Sequence, residues 1–215
     1  MNRLRVRHIA GFRYPGGANA SYNEARMLPG DSEGQLVLNS SLGIMPHAAQ
    51  FTYTDYWGTP VTMFEVLSAH TELTLTATCL VELRRDDAGS EPPSATWEDV
   101  RRLAVPSARL VEQSRQTGRT RPAGDVSRLA ADIARQAATP HAAGIEICAA
   151  VRSRIDYVKG VTGVNSTARE AWDKGRGVCQ DIAHVALGAL RSVGIPARYV
   201  SGYQHPDAQP EPGVT

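Results

Sequence analysis

A cysteine at a predicted helix start is the residue of this 215-residue chain best placed to do chemistry. Gly175 and Gly177 interrupt the preceding structure, and Cys179 follows two positions later. From there, apolar residues recur at spacings of three and four, as on one helical face: Ile182, Val185, Ala186, Ala189, Leu190 and Val193. A thiol at a helix N-terminus faces free backbone N–H groups and the positive end of the helix dipole, and both favour the thiolate. The pattern predicts a nucleophile at Cys179.

The end of this helix is also visible in the sequence. Gly194 stands where a left-handed residue usually ends a helix, and Pro196 prevents the helix from restarting. Residues 197–202 then alternate in the manner of a short strand. The stretch is therefore predicted to run from glycine loop to helix to strand.

These motifs resemble a known family. GVCQD at 177–181, a helix, and GIPAR at 194–198 together resemble the core of the transglutaminase-like superfamily of papain-like cysteine enzymes. Near the other end, RVRHIAGFRY, NEARMLP, DYWGTPV and HTELTLTA resemble the N-terminal region that precedes this core in a bacterial branch. The resemblance covers nearly the whole chain. It implies an α+β fold, with an N-terminal antiparallel β-domain followed by a partial papain-like, transglutaminase-like core.

The resemblance also implies roles for individual residues. Cys179 would be the nucleophile, and its backbone N–H would donate to the oxyanion. Some relatives add a tryptophan indole, which Trp172 could supply here, but we favour a core or lid role for Trp172. Gln180 is a second candidate for the oxyanion site or cleft. Asp181 is interpreted as structural, because the helix dipole favours a carboxylate in the first turn.

The base and its orienting group are not found in the sequence. His184 lies about 140° around an ideal helix from Cys179, so its ring is not expected to reach the sulfur. His205 lacks the His-x-Trp context of the family's catalytic histidine, and no later Asp-Pro follows it. We therefore expect a family member cut before the catalytic His and Asp, and an inactive chain. The alternative is a non-catalytic binding or scaffold module with the same fold.

The other candidate sites are weaker. Cys79 lies in an alternating strand pattern and Cys148 on an apolar helix face, so both are predicted to be core residues. Three cysteines without a CxxC pair indicate neither a disulfide framework nor a thiolate zinc site, and they favour a reducing, cytoplasmic compartment. No phosphate-loop or paired-histidine motif is present, and we expect no metal and no cofactor.

Composition narrows the classes of partner. The formal net charge is +1, with acidic and basic residues interspersed, which gives no footprint for nucleic acid or an acidic membrane. No segment approaches eighteen uninterrupted apolar residues. The family implies a protein or peptide substrate. The sequence does not predict the oligomeric state.

Periodicity divides the chain into two parts. Alternating segments at 3–9, 35–42, 50–55, 61–67 and 72–83 predict a β-domain over residues 1–85. A polar Pro/Gly-containing stretch at 86–96 predicts a linker. From 97 to 215 the period is helical. Predicted helix caps stand at Ser107, Asp125 and Thr167, and the 142–157 helix is expected to turn Ile145 and Cys148 inward with Val151 and Ile155.

Overall fold

The computed structural model describes residues 2–83, 95–104 and 107–204. The chain forms two compact units, one of residues 1–90 with 202–215 and one of residues 91–201. Most of the predicted linker, His205 and the C-terminal tail lie outside the described residues.

The first unit is built from two antiparallel sheets. One has the strand order β1-β6-β3 and the other the order β2-β5-β4. The strands are β1 Asn2–Ala18, β2 Ser21–Ala25, β3 Gln35–Met45, β4 Gln50–Thr54, β5 Pro60–Val66 and β6 His70–Leu83. The five predicted strands are confirmed. β2 was not predicted, because its five residues carry too few apolar positions for a period to show.

Strand β6 organises the first sheet, because it pairs with β1 on one side and β3 on the other. Its alternation separates threonines from a row of buried side chains, namely Leu73, Leu75, Ala77, Cys79 and Val81. Phe64 and Val66 of β5 join the same apolar core. The predicted core position of Cys79 is confirmed, since only 1% of the residue is exposed.

The connection between β4 and β5 is a hairpin, as the sequence predicts. Asp55 accepts hydrogen bonds from the backbone N–H groups of Trp57 and Thr59, both at 2.9 Å. Gly58 has φ 82°, a left-handed angle that glycine adopts without a steric penalty.

The second unit is helical around one apolar core. Its elements are α1 Trp97–Ala104, α2 Ala108–Ser114, α3 Gly124–Gln136, α4 Pro140–Arg154, α5 Ala168–Lys174 and α6 Cys179–Ser192, with two-residue strands β7 Asp156–Tyr157 and β8 Arg176–Gly177 in parallel. Ser107 caps α2 and Thr167 caps α5, as predicted. The predicted cap at Asp125 is wrong, because α3 begins at Gly124 with Ala123 at the N-cap.

The predicted inward face of α4 is half wrong. Ala143, Ile147, Val151 and Ile155 are buried, whereas Ile145 and Cys148 are exposed. The buried row has a strict spacing of four, and it begins at an alanine that the prediction passed over in favour of larger residues. The correction for Cys148 follows, since its side chain lies beside this row and not in it.

The predicted strand at 197–202 is also wrong. No described residue of this segment is in a strand, and Val200 is 71% exposed. The segment is held by other bonds. Ala197 N–H donates to the carbonyl of Gln113 at 3.0 Å, and the Arg191 guanidinium donates to the carbonyl of Ala197 at 2.6 and 3.1 Å. Alternation alone does not make a strand when no neighbouring strand pairs with it.

Candidate active site

Cys179 is the first residue of α6, and it is exposed. The residue before it, Val178, is the N-cap, with the extended backbone typical of that position (φ −106°, ψ −179°). Gly177 is buried against the first turn of α6. A Cβ atom at Gly177 would stand 2.7 Å from Cβ of Asp181 and 2.8 Å from its Oδ2. Glycine at 177 is therefore required by this close approach.

Asp181 is the buried acceptor of this turn. Only 1% of the residue is exposed. Its Oδ2 accepts the backbone N–H of Val178 at 2.7 Å and the Thr162 hydroxyl at 2.6 Å. Its Oδ1 is buried without a hydrogen-bond partner among the described residues. The structural role predicted for Asp181 is thus a cap that reaches back over the start of the helix.

The residue at the N-cap of α6 explains why some backbone N–H groups of the first turn lack an acceptor among the described residues. Valine has no side-chain oxygen, so the Val178 side chain accepts no N–H group of the first turn of α6. The N–H groups of Asp181 and Ile182 both donate to the carbonyl of Val178, at 3.0 and 3.1 Å. Within the described part of the chain, the N–H groups of Cys179 and Gln180 have no acceptor. Two backbone donors therefore stand free beside the thiol.

The loop at 158–167 lies against this helix start. Val158 N–H donates to the carbonyl of Gly177 at 2.9 Å, and Lys174 Nζ donates to the carbonyl of Val161 at 3.3 Å. The carbonyl of Val164 accepts from Gln180 Nε2 at 3.4 Å and from the Arg119 guanidinium. The Gln180 side chain is therefore bonded to the loop at 158–167, and its role at the oxyanion site or cleft stays a prediction.

Trp172 is a core residue, and its indole N–H is bonded to a residue other than Cys179. The residue is 6% exposed and packs in the apolar cluster of the second unit. Its indole N–H donates to Asp125 Oδ2 at 2.7 Å, and this bond holds the pKa of the Asp125 carboxyl below its ordinary value. An indole has a single N–H donor. That donor is committed, which favours the core alternative for Trp172 over the oxyanion one.

His184 packs one turn further along α6. Its ring lies 5.8 Å from that of Tyr199, and its Nδ1 is buried with no partner among the described residues. Loss of hydration lowers the pKa of His184; the Asp181 carboxylate opposes this shift and the Arg119 charge adds to it. The predicted packing role agrees with this environment.

Two histidines of the first unit, His8 and His70, are bonded to other residues. His8 Nδ1 lies 3.0 Å from the hydroxyl of Tyr203, which donates to the carbonyl of Met27 at 2.9 Å. The buried ring of His70 contacts Ser21 Oγ at 3.3 Å and the carbonyl of Ser68 at 2.8 Å. No described histidine is hydrogen-bonded to Cys179.

The three thiols differ in environment. Burial raises the pKa of the Cys79 thiol. Cys148 presents surface to solvent, yet the flanking helix atoms partly desolvate its thiol and raise its pKa. Both shifts lower the fraction of thiolate at neutral pH. We predict faster alkylation of Cys179 than of the other two.

No group of three or more metal-binding side chains occurs within residues 2–83, 95–104 and 107–204. Over the same residues, no helix is long and apolar enough to cross a membrane.

Several residues that form hydrogen bonds in and near the site could not be predicted from the sequence, because their partners are distant in the chain. Thr162 precedes Asp181 by 19 residues, Asp125 precedes Trp172 by 47, and Arg119 precedes Val164 by 45. The sequence contains a recognisable pattern for one of these features only, the cap formed by Asp181. An aspartate three residues after an N-cap position is a capping pattern, and the valine at that cap marks it as incomplete.

Comparisons with known proteins cover both units. Residues 4–82 match the bacterial transglutaminase-like N-terminal region, and residues 127–213 match the transglutaminase-like superfamily. An uncharacterised protein of Mycobacterium leprae is 39% identical over 221 residues, which is all of this chain and 76% of that protein. One of Mycobacterium bovis is 29% identical over 217 residues, or 97% of this chain and 68% of that protein.

A solved structure shares the fold. The crystal structure of a candidate cysteine protease from Cytophaga hutchinsonii aligns with a TM-score of 0.69 at 14% sequence identity. The alignment covers 90% of this chain, and the chain spans 64% of the length of that structure. The α+β fold with a papain-like core is confirmed. The chain belongs to the transglutaminase-like superfamily and carries the bacterial transglutaminase-like N-terminal region.

Proposed function

We propose that this protein is a cysteine enzyme that acts on amide bonds of a protein or peptide through a thioester at Cys179. The observation that supports the proposal most directly is the start of α6, where an exposed thiol stands beside two backbone N–H groups without acceptors. Such donors stabilise the oxyanion that forms when a nucleophile adds to a carbonyl. Membership of the transglutaminase-like superfamily supports the same chemistry.

The proposed reaction has two halves. In the first, Cys179 Sγ bonds to the acyl carbon, the C–N bond breaks, and the amine leaves with a proton. In the second, water releases a carboxylic acid, or a second amine takes the acyl group and forms a new amide. A general base must take the thiol proton and deliver it to the departing amine. No described histidine is bonded to Cys179, so the proposal requires a base from outside the described residues.

Acid-quench mass spectrometry tests the thioester. The full chain is mixed with a glutamine-containing peptide and quenched at low pH, and the mass of the Cys179 peptide is measured. We expect it to gain the mass of the acyl donor less ammonia. A fluorescent amine in the same mixture separates the two outcomes, since incorporation into the peptide indicates transamidation and release of acid alone indicates hydrolysis.

Cys148→Ala is the matched control, because it removes an exposed thiol away from the start of α6. The adduct should persist in Cys148→Ala and disappear in Cys179→Ala. An adduct that survives Cys179→Ala contradicts the assignment of the nucleophile.

The second candidate function is a non-catalytic binding module. The observation that favours it is that no described histidine is bonded to Cys179, so that no base is placed for the chemistry. This function predicts peptide binding without acyl adduct, and identical binding by the wild type and Cys179→Ala. Titration by fluorescence anisotropy measures that binding.

A further inference from the structure

We propose that Asp181 is a positioning residue for Cys179, acting through hydrogen bonds to Val178 and Thr162 that fix the first turn of α6 and the adjoining loop. The inference rests on the proposed function, because it concerns how the nucleophile and its N–H donors are held. It differs from a general stabilising cap in predicting an effect on the thiol itself.

The geometry links three segments through one oxygen. Oδ2 of Asp181 accepts from the N–H of Val178, the residue immediately before Cys179, and from the Thr162 hydroxyl in the loop at 158–167. Gly177 lets this carboxylate approach the backbone to a distance that a Cβ would forbid. The residue is 1% exposed, so solvent does not compete for these bonds. The peptide plane that precedes the nucleophile is thereby tied to a buried group.

Among the described residues, no other side chain accepts the N–H of Val178. The Val178 side chain has no oxygen, and the Thr162 hydroxyl donates to the Asp181 carboxylate. Without Asp181, the N–H of Val178 would be buried without its acceptor and the first turn would be free to fray. Fraying would move the thiol away from the N–H groups of Cys179 and Gln180 that favour the thiolate.

Loss of the Asp181 charge and loss of its hydrogen bonds should change the thiolate fraction of Cys179 in opposite directions. This difference makes the positioning role testable. A carboxylate close to a thiol opposes its ionisation, so removing only the charge should favour the thiolate. Removing the hydrogen-bond acceptor should disfavour it. The other charged and titratable neighbours of the turn, Arg119 and His184, remain in every variant.

The experiment measures the rate of Cys179 alkylation by iodoacetamide between pH 5 and 9, with peptide mapping to separate the three thiols. Asp181→Asn retains an oxygen that can accept both bonds and loses the charge. Its rate profile should have a midpoint at or below the wild-type pH. Asp181→Ala loses the acceptor, and a missing cap shifts the equilibrium between the ordered and the frayed first turn by roughly fivefold. Its rate at neutral pH should fall, by at most this factor.

Two further variants keep the test decisive. Thr162→Val removes one donor without emptying the site, so it should shift the profile in the direction of Asp181→Ala by less, even if Asp181→Ala does not fold. Glu170→Ala removes the equivalent carboxylate from the start of α5, where it accepts the N–H of Thr167 at 3.0 Å. It should lower stability and leave the Cys179 profile unchanged.

The positioning role is overturned if Asp181→Ala and Thr162→Val both alkylate like Glu170→Ala, or if Asp181→Asn is slowed as much as Asp181→Ala. Alkylation needs no base and no peptide. A failure to form the acyl adduct with wild-type protein contradicts the proposed function, whereas a flat response of the alkylation profile contradicts the positioning role.

Discussion

Two neighbouring helices of the second unit begin with the same kind of carboxylate cap and differ in the residue at the N-cap. At the start of α5, Thr167 accepts the N–H of Glu170 at 3.3 Å while Glu170 accepts the N–H of Thr167 at 3.0 Å, which completes a capping box. At the start of α6, Asp181 accepts the N–H of Val178, but the Val178 side chain has no oxygen with which to accept an N–H in return. One helix start is closed and the other is half open.

The difference between the two helix starts corresponds to a difference in role, because the α5 start serves stability and the α6 start carries the candidate nucleophile. The start of α5 has acceptors for the N–H groups of Thr167, Ala168 and Glu170, and the helix carries the core residue Trp172. At the start of α6, the N–H groups of Cys179 and Gln180 have no acceptor among the described residues, and the thiol beside them is exposed. This difference agrees with the site proposed at Cys179.

The largest effect should come from removing the thiol at the open start. Cys179→Ala should lower the rate of acyl transfer by about a thousandfold or more, because the nucleophile is lost while the binding surface remains. Stability should change little, since the residue is exposed. Product release from a glutamine-containing peptide measures the rate of acyl transfer, and a denaturant midpoint measures the stability. A comparable rate in Cys179→Ala would contradict the nucleophile assignment.

The next largest effect should come from the close approach of Gly177 to Asp181. Gly177→Ala places a Cβ 2.7 Å from Cβ of Asp181, and overpacking of this kind costs about 1–3 kcal/mol. Gly163→Ala is the control, because nothing lies within 4 Å of a Cβ there. Urea unfolding should show a loss for Gly177→Ala alone. Equal midpoints for the two variants would mean that the turn relaxes around the added methyl group.

These features were predicted from sequence to different degrees. The glycines, the first residue of α6 and the Thr167 capping box all depend on short-range spacing, and each is confirmed. The strands of the first unit are confirmed for the same reason, since a period of two is visible within a few residues.

What failed depends on contacts between distant segments. For Trp172, the sequence left a core role and an oxyanion role open, and the bond from its indole N–H to Asp125, 47 residues earlier, favours the core role. Cys148 was predicted to be buried because its helix is apolar, yet which face turns inward is set by packing against α3 and α6. The strand predicted at 197–202 required a pairing partner that alternation does not supply.

Closing the open helix start should trade reactivity for stability. Val178→Thr keeps the β-branched shape and adds a hydroxyl that can accept an N–H of the first turn, which is worth about 1 kcal/mol at an N-cap. The same hydroxyl competes with the oxyanion for that donor. We expect a higher denaturant midpoint together with slower acyl transfer. Thr167→Ala opens the α5 start as the counterpart, and it should lower the midpoint without affecting the Cys179 reaction. A stabilised Val178→Thr with the full wild-type rate would mean that the N–H groups are not used.

The smallest effect concerns acid sensitivity further along α6. Loss of hydration lowers the pKa of His184 below 6.5, its ordinary value. The unfolded chain therefore binds a proton at this position before the folded chain does, so the folded state loses stability as pH falls below about 6.5. His184→Gln cannot take up this proton. Its denaturant midpoint should fall less than that of the wild type between pH 7.5 and 5.5, and the two proteins should show parallel behaviour above pH 7.5, where the histidine is neutral in both states. Identical acid slopes in the two proteins would show that the His184 ring is hydrated in the folded state, and that the open start of α6 is not followed by a dry turn.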